Sequence, residues 1–288
     1  TVWCWPESLW APISFTITIN DEQGMPRTSW RDFWCSDDAR VYQFIGQDNL
    51  YFYGVAQPAL WEALRPGGLF AEGPDSQMRQ TTLVANHHML FGKKKASSSG
   101  AVKPPTGEEL EHYTPEQLRA HFLALGLDQK SVGFSPKPFD PDPAKREDPR
   151  YADPVLKEGA LLTNVFNRLA RSCFYEAQKN FDGCMPLGAV TPEVRRRAFE
   201  ALLDYEERMH KVELHRVISV CDEFIRWSNK WWADGIKAAE ASEDADARRQ
   251  VLVDSFYLLR MATLLMHPIV PVGCEKICDY LSFDFGDF

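Results

Sequence analysis

The sequence lacks any run of about 18 or more apolar residues, so nothing in it is expected to cross a membrane. It also lacks the basic and then apolar start of a secretory signal peptide. Its seven cysteines include no CxxC pair, which removes the spacing typical of zinc sites and redox motifs. Together these absences predict a cytoplasmic protein with reduced, packed thiols and no evident metal site.

Positive charge is also scarce, because 32 Lys and Arg residues stand against 41 Asp and Glu residues, for a net charge of −9. A protein dedicated to nucleic acid is usually basic. Any contact with RNA is therefore expected to be a local patch on an acidic body. The hydrophobic fraction of 44% and the charged fraction of 25% are close to globular averages, and the length allows one large domain or two smaller ones.

The stretch from Gly92 to Gly100 contains three lysines and then three serines, with Ala96 between them. It follows the apolar run Thr82–Phe91, which predicts a buried strand. Glycine and serine allow the loop to change conformation, and lysine ammonium groups suit a polyphosphate. A solvated surface loop without a ligand is the alternative, since short motifs of this kind have a high false-positive rate.

A second segment, Val41–Tyr53, joins a short apolar run to a polar turn. The run predicts a buried strand that ends at Gly46, with Asp48 where a helix would begin. Open α/β sheets bind ligands beyond the carboxyl ends of their strands, so this carboxylate is well placed for a ribose or an amine. The alternative for Asp48 is a plain helix N-cap. The residues of the predicted strand are Val41, Phe44 and Ile45.

These segments resemble the second half of the catalytic domain of methionyl-tRNA synthetases, which are class I aminoacyl-tRNA synthetases. The block Gly46–Tyr53 resembles the G-K-D-x-x-Y-F-H block of that family, and Lys95–Ser99 resembles its KMSKS loop. Other similar segments follow in the family's order: Val2-Trp3 with Trp10, Ser29–Trp34, Asn164–Arg171 and Phe224–Trp231. The resemblance spans nearly the whole chain.

The resemblance implies activation of methionine by ATP, used with Mg²⁺ as substrate. Lys95 matches the first lysine of the loop, and Lys94 is the alternative because the register can shift by one residue. Ser97 and Ser99 match the two serines, while Ser98 replaces the second lysine. The residues expected to contact ATP or the amino acid are Trp3, Trp10, Gly46, Asp48, Tyr53 and His87.

Three of these expectations carry alternatives. His87 and His88 are expected to alternate along the strand, so that one faces inward, either near the adenosine or simply in the core. Tyr53 replaces the family's usual histidine and Gln47 its usual lysine. Methionine is therefore the first expectation for the amino acid, and another aliphatic amino acid or cysteine is the alternative.

The order of predicted elements indicates an α/β part followed by an all-α part. Residues 1–100 are predicted to be the second half of a Rossmann-like catalytic domain that ends in the KMSKS-like loop. Residues 101–154 are predicted to be a connecting and stem-contact segment that includes an irregular proline-rich stretch. Residues 155–288 are predicted to form an antiparallel helical anticodon-binding bundle. Caps and apolar spacing predict helices at Gln57–Leu64, from Thr114 to Gly126, from Pro154 to Gly183, from Thr191 through Met209, at Glu213–Ala239, at Ala245–Met266 and at Val272–Leu281.

Within the bundle, Asn167, Arg171 and Trp231 match the family's anticodon readers. Asn167 and Arg171 are four residues apart and share a helix face. Unpaired bases stack on tryptophan and are read by amide and guanidinium donors. Helix packing is the alternative role for Trp231, because Trp227 and Trp232 lie close to it in the sequence.

The HIGH signature of class I synthetases does not occur in this sequence. The resemblance therefore implies an N-terminally incomplete methionine–tRNA ligase, inactive in isolation, whose partners are tRNA, methionine, ATP and the missing N-terminal half. A HIGH-less protein that binds tRNA without aminoacylating it is the alternative from the class of binding proteins.

Overall fold

The computed structural model describes residues 8–64, 78–91, 93–96, 100–110, 113–134, 142, 157–284 and 286. The chain divides into two compact units, one over Thr1–Leu90 with Leu127–Val132, the other over Phe91–Gly126 with Gly133–Phe288. The three-part division at residues 100 and 154 stays a prediction. In the ranges that the structure describes, no helix is long and apolar enough to span a membrane.

The first unit is an α/β structure built around two parallel strands, β1 and β2. Their register runs from Tyr42 opposite Thr82 to Gly46 opposite Asn86, so both strands end at the same edge. Its elements are α1 (Ala11–Glu22), a 3₁₀ turn (Arg27–Ser29), α2 (Trp30–Trp34), β1 (Tyr42–Gly46), a 3₁₀ turn (Gln47–Asn49), a π-helical segment (Phe52–Ala56), α3 (Gln57–Leu64) and β2 (Thr82–Asn86).

Strand β1 forms where it was predicted, but its burial differs from the prediction. Phe44 is 57% exposed, whereas the side chain buried between its neighbours is that of Gln43. Successive residues of a strand point to opposite faces. The face of β1 covered by the rest of the unit is the one that carries Gln43, so Phe44 faces outward, and its predicted burial was wrong.

The run Thr82–Phe91 forms two strands, β2 and β3 (Met89–Phe91), where one was predicted. His87 and His88 lie in the break between them, and both are half-buried. The backbone N–H of His87 donates to the carbonyl oxygen of Leu127 at 2.7 Å, outside the β1–β2 ladder. The expected alternation of the two histidines along one strand was therefore wrong.

The core of the first unit is a tryptophan cluster. Trp61 is 2% exposed and lies between Trp10 and Trp30, with ring centroids 5.9 and 6.0 Å away. The indole N–H of Trp34 donates to the hydroxyl of Thr16 at 3.1 Å, which satisfies this polar atom. Large aromatic side chains bury much apolar area each, so a few of them can stabilise a small unit.

The first part of the second unit is short and irregular. It contains β4 (Lys94–Lys95), α4 (Gly107–Leu110) and α5 (Pro115–Ala124), and β5 (Val132–Gly133) crosses the boundary of the units. Helix α5 begins with the predicted capping box, in which Thr114 and Gln117 each accept a hydrogen bond from the other's backbone N–H. Gly126 follows with φ of 67°, a left-handed conformation that favours glycine at a helix end.

The rest of the second unit is the predicted helical bundle. Its elements are α6 (Lys157–Ala160), a π-helical segment (Leu161–Phe166), α7 (Asn167–Asn180), α8 (Pro192–His210), α9 (Leu214–Ser242), α10 (Ala245–Met266) and α11 (Pro271–Leu281). Leu169, Val194, Phe224 and Leu259 are fully buried in one continuous core. Met209 is 38% exposed, because it lies in the last turn of α8.

The bundle core also holds most of the cysteines. Six free cysteines are described, five of them buried, whereas Cys184 is exposed. Burial raises the pKa of the Cys221 thiol to about 12. The thiols in the core are therefore neutral at physiological pH, and they act as small apolar side chains. The prediction of packed thiols is therefore confirmed for five of the six described cysteines.

Helix α8 begins at Thr191, but its cap comes from another helix. The carboxylate of Asp254 on α10 is 1% exposed, and it accepts hydrogen bonds from the backbone N–H and the hydroxyl of Thr191 at 2.8 and 2.6 Å. Gln250 donates to the same carboxylate at 3.1 Å. A negative charge at a helix N-terminus is stabilised by the free N–H groups and the helix dipole.

We expect Asp254→Ala to lower the free energy of unfolding by about 1–3 kcal/mol, because it leaves the backbone N–H and the hydroxyl of the half-buried Thr191 without their acceptor. Urea denaturation followed by helical circular dichroism measures the change. The matched control is Asp246→Ala on the same helix, which removes an exposed carboxylate and should cost well under about 1 kcal/mol. Equal losses for the two variants would contradict the role of Asp254 as the cap of α8.

Candidate functional site

In the first unit, the candidate site lies at the carboxyl edge of the β1–β2 pair. Asp48 follows β1 and is exposed, and His87 directly follows β2 and is half-buried. The two strands are parallel and in register, so both side chains start from the same edge of the sheet. Ligands of open α/β sheets bind at such an edge.

Gly46 lies directly against the Asp48 carboxylate. A Cβ atom at Gly46 would lie 2.7 Å from Oδ1 of Asp48, which is closer than real Cβ contacts allow. The carboxylate is thus folded back over the end of β1. Gly46 itself is the N-cap of the 3₁₀ turn Gln47–Asn49, and Asp48 lies within that turn, so the plain N-cap interpretation of Asp48 was wrong.

Tyr53 belongs to the π-helical segment Phe52–Ala56, directly before α3. It lines a cleft of about 580 Å³ together with Gln57, Arg79 and Thr81. π-Helical turns are rare and are frequent at functional sites. Among the residues predicted to contact ATP or the amino acid, Tyr53 is the one that lines this cleft.

Two buried glutamines fix the wall of the cleft. The amide of Gln43 donates to the side-chain oxygen of Gln57 and to the hydroxyl of Thr81, both at 2.9 Å. The amide of Gln57 donates in turn to the carbonyl oxygen of Leu9 at 2.7 Å. Gln57 is fully buried, so each of these bonds replaces one that water would otherwise make. The network joins β1, the start of α3 and the segment before β2.

Two predicted residues near the start of the chain have different outcomes. Trp10 is half-buried, and it packs against Trp61 in the tryptophan cluster. Trp3 lies outside the described residues. The expectation that these aromatics shape an amino-acid pocket stays a prediction.

The lysine-rich loop presents its charges to solvent. Lys93, Lys94 and Lys95 are all exposed, and Lys93 has a φ of 66°. Lys94 and Lys95 are consecutive residues of β4, so their side chains are expected on opposite faces of the loop. Which of the two lysines is the cation of the site therefore depends on which face of the loop meets the ligand. Ser97 and Ser99 lie outside the described residues.

In the bundle, α7 presents a polar and cationic surface. Asn167 and Arg171 are exposed on adjacent turns of the same helix face, as predicted from their spacing. The one acid of α7, Glu176, is 9% exposed, and it accepts a hydrogen bond from Arg248 at 2.7 Å. Its charge is therefore neutralised inside the bundle, which leaves Arg168, Arg171 and Lys179 as the charges that α7 presents to solvent.

Trp231 lies at the edge of the core on α9. Its ring stacks on Trp227 with a centroid distance of 5.4 Å and an interplanar angle of 28°. The side chain is half-buried against the core, and its indole N–H is buried and has no hydrogen-bond partner among the residues that the structure describes. Trp231 therefore combines packing with an unused donor, and both interpretations of this residue remain open to test.

One hydrogen bond relates the segment before α7 to α9. The side-chain amide of Asn229 donates to the carbonyl oxygen of Val165 at 2.9 Å. Val165 lies in the π-helical segment, two residues before Asn167, and Asn229 lies two residues before Trp231. The bond thus brings together the helix segments that carry the predicted anticodon readers.

Sequence reasoning missed Gln43, Gln57 and Tyr175. The available signal for Gln43 was a polar residue inside an apolar strand, and for Tyr175 an aromatic residue four positions after Arg171. The signal for Gln43 does not identify its hydrogen-bond partners, because one lies 14 positions away in the sequence and the other 38 positions away.

The chain is similar in sequence to several known proteins. Residues 1–141 match the family model of class I tRNA synthetases (M). A methionine–tRNA ligase of Methanosarcina mazei is 24% identical over 271 residues, which cover 92% of this chain. The chain is similar in sequence to class I methionyl-tRNA synthetases. A methionine–tRNA ligase of Bacillus cereus is 21% identical over 88% of the chain.

Solved structures of such synthetases share the fold. The methionyl-tRNA synthetase of Mycobacterium tuberculosis, in complex with methionyl-adenylate, superposes with a TM-score of 0.63 at 18% identity over 88% of this chain. This confirms the predicted order of an α/β part followed by a helical part. The chain spans 34% and 42% of the length of the two curated relatives and 46% of the mycobacterial chain.

We expect Gln57→Ala to lower the free energy of unfolding by about 2–3 kcal/mol, because it removes the partners of Leu9 and Gln43 in a buried network. Urea unfolding followed by tryptophan fluorescence reports on the neighbouring tryptophan cluster. Gln80→Ala is the control, since Gln80 lines the same cleft but is exposed.

Replacing both glutamines of the network by leucine tests whether their two amides depend on each other for stability. The double variant Gln43→Leu with Gln57→Leu should be less destabilised than the sum of the two single changes, because no polar pair is left half-made. Additive losses would show that the two amides act independently.

Proposed function

We propose that the chain is the part of a methionine–tRNA ligase that contains the second half of the ATP- and methionine-binding domain and the anticodon-binding bundle. The observation that carries this proposal is the carboxyl edge of the parallel pair, where Asp48 and His87 follow adjacent strands and Gly46 leaves room for the carboxylate. The relatives named methionine–tRNA ligase match over both the α/β part and the bundle, which supports the proposal.

The first chemical step is activation of methionine by ATP, used with Mg²⁺. The carboxylate of methionine attacks the α-phosphate, and pyrophosphate leaves, so negative charge grows on phosphorus and on the leaving group. A cation that meets this charge only in the transition state lowers the barrier. The exposed ammonium of Lys95 is the proposed cation, with Lys94 on the other face of β4 as the alternative.

Completion of the ATP site by a HIGH-bearing half is supported by the surface of the first unit. Parallel sheets are normally covered on both faces, yet Tyr42 and Phe44 of β1 are 46% and 57% exposed. On α1, Phe15 and Ile19 are also exposed, although the opposite side of that helix is already buried. An apolar surface of this extent fits contact with further α/β structure.

Recognition of tRNA is supported by the surface of α7. Arg171 and Asn167 are exposed beside each other on a helix whose acid is neutralised internally. The chain as a whole has a net charge of −9, so this face is the local basic patch that an acidic tRNA-binding protein requires. Phosphate contacts supply affinity there, while amide and guanidinium donors read base edges.

We expect Lys95→Ala, in the protein completed by its HIGH-bearing half, to slow methionine-dependent ATP–pyrophosphate exchange by an amount equivalent to about 2–4 kcal/mol. The KM for methionine should change little, because the contact forms in the transition state. Lys93→Ala is the matched control in the same loop. A large effect of Lys94→Ala with a silent Lys95→Ala would move the register by one residue.

A second candidate function is tRNA binding without aminoacylation. It is favoured by Ser98, which stands where the family has the second lysine of its loop. The exchange assay separates the two functions. Binding of tRNA together with no exchange, even after the HIGH-bearing half is added, would support the second candidate and overturn the first.

We expect Trp231→Ala to weaken the preference of the chain for a methionine tRNA over a tRNA with an unrelated anticodon, by about 1–3 kcal/mol. Both affinities must be measured at one salt concentration, because phosphate contacts dominate each of them. Trp232→Ala controls for loss of packing, since Trp232 contacts the same core. An unchanged preference with lower thermal stability would make Trp231 a core residue only.

A further inference from the structure

The exposed ridge of α7 continues beyond the two residues predicted to read the anticodon. Side chains four residues apart form ridges along a helix. On α7 the ridge through the predicted readers consists of exposed polar, cationic and aromatic side chains without an acid: Asn167, Arg171, Tyr175 and Lys179.

Arg171 and Tyr175 are in direct contact on this ridge. The guanidinium carbon of Arg171 lies 5.4 Å from the ring centroid of Tyr175, within the range of a cation–π interaction. Tyr175 is 59% exposed, so its ring is not part of the buried core. Packing of the bundle core therefore does not account for the position of this ring.

The described residues place no carboxylate against the guanidinium of Arg171. Within the described residues, no carboxylate lies at ion-pair distance from it, and the neighbouring Glu176 is bound to Arg248. The contact of this guanidinium that the structure does show is with the ring of Tyr175. A guanidinium that packs on a ring directs its N–H groups outward along its own plane, where they can donate to a base edge.

We infer that Tyr175 is a positioning residue of the tRNA-binding face, which holds the Arg171 guanidinium for recognition of an anticodon base. The inference rests on the proposed function, because it assigns a role within the same face. It extends the set of residues that determine specificity from the two polar readers on α7 to the aromatic side chain that orients one of them.

The test uses the full chain and two RNA stem-loops, one with the methionine anticodon and one with that anticodon replaced, at a fixed salt concentration. Tyr175→Leu should reduce the ratio of the two affinities by about two- to fivefold, the scale of an exposed cation–π contact. Tyr175→Phe keeps the ring and should restore the ratio. Tyr280→Leu is the control, because Tyr280 is exposed in the same unit but contacts Phe174.

The dependence on Arg171 is measured by a double-mutant cycle. Arg171→Ala should reduce the ratio, and Tyr175→Leu should then have no further effect, because nothing is left for the ring to orient. A merely structural role of Tyr175 would lower the unfolding temperature without changing the ratio. Since Tyr175 is exposed, Tyr175→Gln provides a second variant that keeps a long polar side chain in case leucine causes aggregation.

The outcomes distinguish this inference from the proposed function. If Arg171→Ala changes the ratio and both Tyr175→Leu and Tyr175→Gln leave it intact, the positioning role is overturned while anticodon recognition stands. Equal effects of Tyr175→Leu with and without Arg171 would also overturn it, because the ring would then act alone. If Arg171→Ala itself has no effect, the anticodon assignment fails, and this inference fails with it.

Discussion

The face that we propose to bind tRNA begins beside one hydrogen bond between helices, from the side-chain amide of Asn229 to the carbonyl oxygen of Val165. It fixes the π-helical segment Leu161–Phe166 against α9, and α7 continues directly from that segment. The wider π turn rotates everything that follows relative to a regular helix. The direction in which Asn167 and the following ridge of α7 point is therefore set by the π-helical segment that precedes α7.

Where local signals agree with packing, the sequence predicts the structure closely. Helix α10 runs over the predicted Ala245–Met266, with Asp244 as its cap and a proline shortly after its end. The capping box of Thr114 and the helix Gln57–Leu64 also form as predicted. In these elements, helix propensity, capping residues and the spacing of apolar residues all favour the same helix, and the tertiary contacts are consistent with it.

The differences arise where a distant residue decides the local conformation. The burial of Gln43 and the exposure of Phe44 depend on which face of β1 packs against α3. The alternation of side chains along a strand does not show which of its two faces will be covered. The same limit applies to the candidate sites. The spacing of Asn167 and Arg171 predicts a shared helix face. The contact of Arg171 with Tyr175, and the hydrogen bond by which Arg248 neutralises the charge of Glu176, are visible only in three dimensions.

The cap of α8 has a consequence for synthesis on the ribosome. Its acceptor, Asp254, lies 63 residues after Thr191, in a helix made later. While the chain emerges, the first turn of α8 has donors whose partner does not yet exist, and isolated helices of this length are marginal in water. The bundle therefore reaches its final form only after α10 has left the exit tunnel, and until then its apolar faces depend on chaperones for cover.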